Sequence, residues 1–258
     1  MTDARRFDGK VMLVSGASSG IGRACTLALG GAGAMIVAGG RRVERLQEVA
    51  KQVTDAGGEA LVVTGDVRDS AICEAWIRSA VERFGGVDGL VNAAGVLGNG
   101  AIQDTTTEEW DRILDSNLRS LFLLTRSATP ELIRRRGAVV NISSVASHRP
   151  YAGLLAYCVS KAAVDMLTRC AALDLAPHGV RVNAVNPGVV VTELHTVTGA
   201  MADYAAFLER SKTTHPIGRV GSAEEVASLV AYLLSEEASW ITGATYAIDG
   251  GRALASAR

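Results

Sequence analysis

The stretch from Lys10 to Gly30 limits the possible folds more than any other. Lys10–Ser15 (KVMLVS) is a short apolar run between Gly9 and Gly16, the pattern of a strand buried on both faces of a parallel sheet. Gly16-Ala17-Ser18-Ser19-Gly20-Ile21-Gly22 follows, then an Ala- and Leu-rich helix to about Gly30. Glycine is needed where a backbone turns tightly or must approach a ligand closely. A glycine loop that opens a helix aims free N–H groups and the positive end of the helix dipole at an anion. The pyrophosphate of a dinucleotide is the usual guest. The spacing G-x-x-x-G-x-G is not the commoner G-x-G-x-x-G, so the reading rests on the strand before and the helix after. A plain glycine-rich turn is the competing reading.

The same alternation continues along the chain. Further strands are expected at Ala34–Gly39, Ala60–Thr64, Asp88–Asn92, Gly137–Ile142, Val180–Val185 and Ala244–Ile248. Helices are expected at Val43–Ala56, from near Ser70, from Thr105 to about Arg135, from about Leu155 to Ala176, and from Ser222 to about Leu234. Thr105/Glu108 and Thr106/Glu109 are overlapping helix-start signals, and Ser222 with Glu225 is a capping box. Pro130 is expected to kink or break its helix. Residues 193–216 read as an irregular or weakly helical lid. No linker or repeat divides residues 1–258. The expected fold is α/β: one Rossmann-type, doubly wound parallel sheet of about seven strands with helices on both faces.

Composition excludes several classes. Net charge is -1 with no basic arm, which argues against a nucleic-acid partner. No run reaches the ~18 apolar residues of a membrane span, and no secretory leader is visible. Cys25, Cys73, Cys158 and Cys170 are scattered, so free thiols in a reducing cytoplasm are expected, with no metal.

Candidate ligand-binding residues cluster after the strands. The second strand ends Gly39-Gly40-Arg41-Arg42, where dinucleotide folds often carry the carboxylate that binds the ribose hydroxyls of NAD. A guanidinium there would pair with a 2'-phosphate instead, which favours NADP while leaving NAD possible. Arg41 is the first choice because it stands nearer the strand tip; both arginines can also be simply solvated. Asp66 can accept from an adenine amino group or cap the helix near Ser70. Asn92-Ala93-Ala94-Gly95 leaves room for a flat ligand, and Asn186-Pro187-Gly188 bends the chain toward Thr192.

Tyr157 and Lys161 are four residues apart, on one face of the expected helix. A free tyrosine keeps its proton to pH ~10. A neighbouring ammonium is expected to lower that value and to ready the phenol for proton exchange with a carbonyl or alcohol. Ser144 lies one loop upstream, positioned to bond the reacting oxygen. Asn117 falls mid-helix between apolar turns, where a buried amide must find partners. His148, Arg149 and His195 are the polar groups expected near a substrate. Arg149 is read as solvated or pairing with an acid, His195 as lid surface, and Cys158 as packing.

Taken in order, SGASSGIG at 15–22, Asp66-Val67, NAAG at 92–95, Asn117, Ser144, YCVSK at 157–161 and NPG at 186–188 resemble the short-chain dehydrogenase/reductase family, in its 3-oxoacyl-carrier-protein-reductase-like form. The resemblance covers roughly residues 8–251. It implies a seven-stranded Rossmann-type sheet and an Asn117–Ser144–Tyr157–Lys161 active site. It implies Tyr157 as general acid/base, Lys161 on the nicotinamide ribose, Ser144 on the substrate oxygen and Asn117 on a water relay to Lys161. The implied cofactor contacts are Gly16, Ser18, Ser19, Gly20, Ile21 and Gly22 at the pyrophosphate, with Arg41 and Arg42 at the adenosine ribose. Asp66 and Val67 flank adenine. Asn92, Ala93 and Gly95 contact its ribose. Pro187, Gly188, Val190 and Thr192 hold the carboxamide end. It also implies a homodimer or homotetramer acting on a small carbonyl or alcohol. Ser15 stands where Thr is common, and Val91 replaces the first Asn of Asn-Asn-Ala-Gly. The rival readings are an NAD-dependent alcohol dehydrogenase and a non-catalytic dinucleotide sensor; all four active-site residues argue against the sensor.

Overall fold

A computed structural model describes residues 6–195 and 203–255. Its seven strands are β1 (Val11–Ser15), β2 (Met35–Gly40), β3 (Glu59–Thr64), β4 (Gly89–Asn92), β5 (Ala138–Ile142), β6 (Arg181–Pro187) and β7 (Thr245–Ile248). They form one sheet in the order β3-β2-β1-β4-β5-β6-β7, every pairing parallel. The direction of winding reverses between β1 and β4. In open α/β sheets the crevice at such a reversal, outside the carboxyl ends of the strands, is where ligands bind.

Strand side chains alternate between two cores, as a period of two requires. Val14, Ile36, Val140 and Val185 face one side, packed with Leu29 of α1 (Gly20–Gly31), Leu46 of α2 (Val43–Asp55) and Val230 and Leu233 of α8 (Ala223–Leu234). Leu13, Val37, Leu90 and Val139 face the other. There they meet Trp76 of α3 (Ser70–Phe84), Leu124 of α5 (Ser120–Arg135) and Ala172 of α6 (Leu155–Leu175). Burial on both faces explains why the strands read as unbroken apolar runs.

The expected long helix is continuous from α4 (Thr107–Leu114) through α5, but its irregularity is not where proline placed it. Pro130 sits inside α5 without breaking it, because Leu124, Ala128 and Leu132 hold the buried face of that helix in the core. The ladder instead widens to a π-helical turn at Asp115–Arg119, centred on Asn117. Such bulges are rare and gather at functional sites. One cap differs from expectation: Asp69, not Asp66, caps α3 by accepting from the Ala71 N–H. Of the two overlapping start signals, Thr106 with Glu109 is the one used, Thr106 accepting from the Glu109 N–H at the start of α4. The Ser222–Glu225 capping box is present as expected. Within the expected lid, Glu193–His195 is a 3₁₀ turn and Tyr204–Thr214 forms a regular helix, α7, capped by Asp203. Residues 196–202 of the lid, and the His195 side chain, lie outside the described residues.

Candidate active site

A cleft of about 410 Å³ opens over the carboxyl ends of the strands. The structure brings into its walls Gly16, Ser18, Ser19, Gly20, Ile21, Gly22, Arg41, Arg42, Asp66, Val67, Ala93, Gly95, Pro187, Gly188, Val190 and Thr192, together with Ser144, Tyr157 and Lys161. Two expected residues do not line it. Asn117 stands behind the wall. Asn92 turns away from the cleft: its amide donates to Asn141 Oδ1 at 2.9 Å and Thr125 Oγ1 at 3.0 Å, inside the protein.

The glycine loop fits an anion. A Cβ on Gly22 would stand 2.3 Å from the Gly16 carbonyl oxygen, so the loop can fold onto the helix start only without one. No side chain caps the first turn of α1, and that turn holds no acidic residue. Its free N–H groups and the Ser18 and Ser19 hydroxyls form a donor set suited to a pyrophosphate. Arg42 reaches the loop directly, at 3.0 Å from Ser18 Oγ and 2.5 Å from Ser19 Oγ. Arg41, expected to be the nearer of the two, is 67% exposed and lies 3.7 Å from Asp66. The Glu193 carboxylate takes hydrogen bonds from Arg42 at 3.0 Å and from Arg45 at 2.6 Å. Those two guanidiniums hold its pKa below the usual carboxylate range. Asp66 is bound by Arg68 at 2.8 Å, which likewise lowers its pKa.

At the other end of the cleft, α6 carries Tyr157 and Lys161 on one face, both buried. Lys161 Nζ donates to the Ile142 carbonyl at 2.9 Å and lies 5.7 Å from the centre of the Tyr157 ring. The expected fall in the tyrosine pKa is not found. Burial pushes the Tyr157 phenol up to about 12, against an opposing hydrogen bond from Ser144. Burial also pulls Lys161 down to about 8, against the Asp165 carboxylate. Desolvation favours the neutral form of each group and is the largest cause of both shifts.

Asn117 is 1% exposed, and its amide is fully engaged. Oδ1 accepts from the Val96 N–H at 2.8 Å; Nδ2 donates to the Val96 carbonyl at 3.0 Å and to Ser160 Oγ at 3.1 Å. Ser160 in turn donates to the Tyr157 carbonyl at 2.7 Å. The widened turn of the helix thus locks the strand exit at Val96 to the backbone of Tyr157. Gly95 passes so close that a Cβ there would lie 3.2 Å from Asn117 Oδ1 and 3.8 Å from Lys161 Nζ.

Around the Tyr157 ring gathers an apolar pocket of Leu97, Ala146, Tyr151, Leu154 and Leu194, with Cys158 packed beside it as expected. Phe207 of α7 also reaches the cleft. Arg149 is neither solvated nor in the cleft wall: its guanidinium donates to the carbonyls of Arg252 and Ala255, tying down the tail of the chain. His148 lies at the surface, 3.5 Å from the buried Asp165 carboxylate. Arg252 lines the cleft and was not anticipated. It follows the last strand in a tail with no periodicity to read. His215, also unanticipated, is buried and accepts the Val189 N–H at 3.1 Å, fixing the loop that follows β6. Among the described residues no cluster could hold a metal ion, and no helix is long and apolar enough to cross a membrane.

Comparison with known proteins places this arrangement. A family model described as enoyl-(acyl carrier protein) reductase matches residues 16–253. The chain is 36% identical over 249 residues to 2,5-dichloro-2,5-cyclohexadiene-1,4-diol dehydrogenase LinX of Sphingobium indicum, covering 96% of this chain and 98% of that one. It is 35% identical over 247 residues to the 3-oxoacyl-acyl-carrier-protein reductase FabG of Thermotoga maritima, covering 95% and 98%. The crystal structure of a short-chain type dehydrogenase/reductase from Mycobacterium marinum superposes with a TM-score of 0.90 at 34% identity, covering 97% of this chain and 98% of that one. With the sheet order, the glycine loop and the Tyr157–Lys161 face in place, these likenesses show that the chain belongs to the short-chain dehydrogenase/reductase family of oxidoreductases.

Proposed function

We propose that the cleft transfers a hydride between NADP(H) and a ketone or secondary alcohol, with Tyr157 as the general acid/base. The observation that carries this reading is a buried phenol beside Ser144 and Lys161, at the apolar end of a cleft whose other end is an anion site. When bound, the dinucleotide supplies the hydride. The residues of the chain do the rest. Tyr157 keeps its proton through neutral pH, the form needed to protonate a carbonyl oxygen, so its protonation state favours reduction. Lys161 is mostly cationic at pH 7 and stabilises the phenolate left behind. Ser144 holds the substrate oxygen, and Asn117 fixes the backbone on which these groups stand. Leu194 and, from α7, Phe207 border the cleft where the apolar pocket would receive the substrate.

Arg41, Arg42 and Arg45, with no carboxylate at the end of β2, support NADP over NAD. A second reading, an NAD-dependent alcohol dehydrogenase, is favoured by Glu193, whose carboxylate already engages two of those arginines. Exposed Phe122 on α5, and Met166 and Leu173 on α6, support a homodimer or homotetramer built on those helices. Four unpaired cysteines support a cytoplasmic home.

The test is a comparison of kcat/KM with NADPH and NADH over a panel of ketones, with Tyr157→Phe alongside. The expected result is preference for NADPH. The variant should lose about 10²- to 10⁴-fold in rate, the contribution of one acid/base group, while still binding NADPH. A fully active Tyr157→Phe enzyme would end the proposal; a preference for NADH would move it to the second reading.

A further inference from the structure

We propose that Arg252 selects substrates that carry a carboxylate, so that the carbonyl compound is an oxo acid and its alcohol a hydroxy acid. The inference rests on the reading that the cleft interconverts a carbonyl and an alcohol, and it names the class. Arg252 lines the cleft, and neither Nη1 nor Nη2 has an acceptor among the described residues; Nη1 is enclosed by protein, so Nη2 is the donor left open to a ligand. A buried charged donor without an acceptor is costly, and such groups are normally paired. No carboxylate of the described residues lies within ion-pair distance of it. The acidic side chains that line the cleft, Asp66 and Glu193, are already bound by Arg68 and by Arg42 and Arg45.

The guanidinium is held in place rather than free to swing into solvent. Its Nε donates to the Tyr151 hydroxyl at 3.0 Å, and its Cζ lies 5.1 Å from the centre of that ring. Arg149 flanks the same ring at 6.0 Å, while donating to the Arg252 carbonyl at 2.9 Å. Asp249 fixes the turn beneath, its two oxygens accepting from the N–H groups of Gly251 and Ala253 at 2.9 and 2.7 Å. Tyr151 belongs to the apolar cluster around the Tyr157 ring. One pocket therefore has a proton donor, an apolar wall and a guanidinium held by Tyr151 at Nε with its Nη2 N–H groups spare. A planar two-oxygen anion is the partner that a guanidinium fork matches best.

Two measurements test this. The first is calorimetric binding of cyclohexanecarboxylate, which has no reducible carbonyl, to wild type, Arg252→Gln and Arg252→Lys. We expect Arg252→Gln to bind about tenfold to a hundredfold more weakly, the range of one charge-assisted hydrogen bond, with Arg252→Lys between. The second is kcat/KM for 4-oxocyclohexanecarboxylate against its methyl ester. Wild type should prefer the acid at least tenfold, chiefly through KM, and Arg252→Gln should remove that preference. Unfolding midpoints confirm that the variants are folded. Equal use of acid and ester by wild type, or a preference that survives Arg252→Gln, would overturn the assignment while leaving the oxidoreductase reading intact. Carboxylate binding that depends on Arg252, with neither ketone reduced, would uphold the assignment and sink the oxidoreductase reading.

Discussion

Replacing Asn117 by alanine should destabilise the whole fold, not merely slow the reaction. The side chain makes three hydrogen bonds, at 2.8 Å to the Val96 N–H, 3.0 Å to the Val96 carbonyl and 3.1 Å to Ser160 Oγ. Alanine would leave both Val96 backbone groups without their side-chain partner. Ser160 would keep its bond to the Tyr157 carbonyl and lose only an incoming donor. At about 1–3 kcal/mol for each orphaned group, the loss is about 2–6 kcal/mol. For a domain of this size that lowers the unfolding midpoint by roughly 5–20 °C. Asn117→Asp should suffer similarly, because its second carboxylate oxygen would face the Val96 carbonyl. Urea or thermal unfolding followed by tryptophan fluorescence measures the effect. A change within about 0.5 kcal/mol, the usual scale for an exposed site, would refute the reasoning. Asn117 would then act only on the reaction, as a water-anchoring amide would.

Glu193→Gln should tighten NADP binding severalfold with little effect on NAD, since it removes a carboxylate that engages Arg42 and Arg45; equal changes for both dinucleotides in a fluorescence titration would contradict this. Lys161 gives a pH signature. Its folded pKa of about 8 lies below the ordinary 10.5, so the stability linked to it is present above 10.5 and is lost as pH falls toward 8. Unfolding free energy should therefore rise more steeply from pH 8 to 10 in wild type than in Lys161→Met. Tyr157 adds an opposing slope only above pH 10, where its raised pKa begins to matter. Parallel curves for the two proteins would disprove the burial account.

Strands and helices were readable because the sheet is buried on both faces and each crossover helix has an apolar stripe. Expected bounds differ from observed ones by a residue or two, as at β6, which continues through Pro187 to pair with Ile248. What the sequence hid were competitions decided in three dimensions. Pro130 looked like the break, yet the irregular turn lies at Asn117, where an amide serves two other segments at once. Tyr157 and Lys161 looked like an ion-tuned pair, but spacing on a helix carries no information about desolvation, which dominates both groups. Arg252 was invisible because its value depends on a tail folding back beneath Arg149 and against Tyr151.

Asn92 differs, since its inward turn follows from strand parity. Leu90 faces the core beneath α3 and α5, and a residue two further along the strand points the same way. That sends the Asn92 side chain to Thr125 of α5, not to a ligand. Asn141 shares parity with Val139 on the neighbouring strand and receives the Asn92 amide, then passes its own to Thr168 of α6 at 2.9 Å. Register sets these partners side by side: Asn92 pairs with Ser15 on β1 and with Asn141 on β5. Ser15 Oγ, from the same row, accepts the Ala93 and Ala94 N–H groups at 3.2 and 3.3 Å. The carboxyl edge of the sheet is thus a polar row that fastens the strand exits to α5 and α6. The Asn92 side chain thus holds the wall of the cleft in place, and on the proposed reading a bound ribose would meet Ala93, Ala94 and Gly95, which line it.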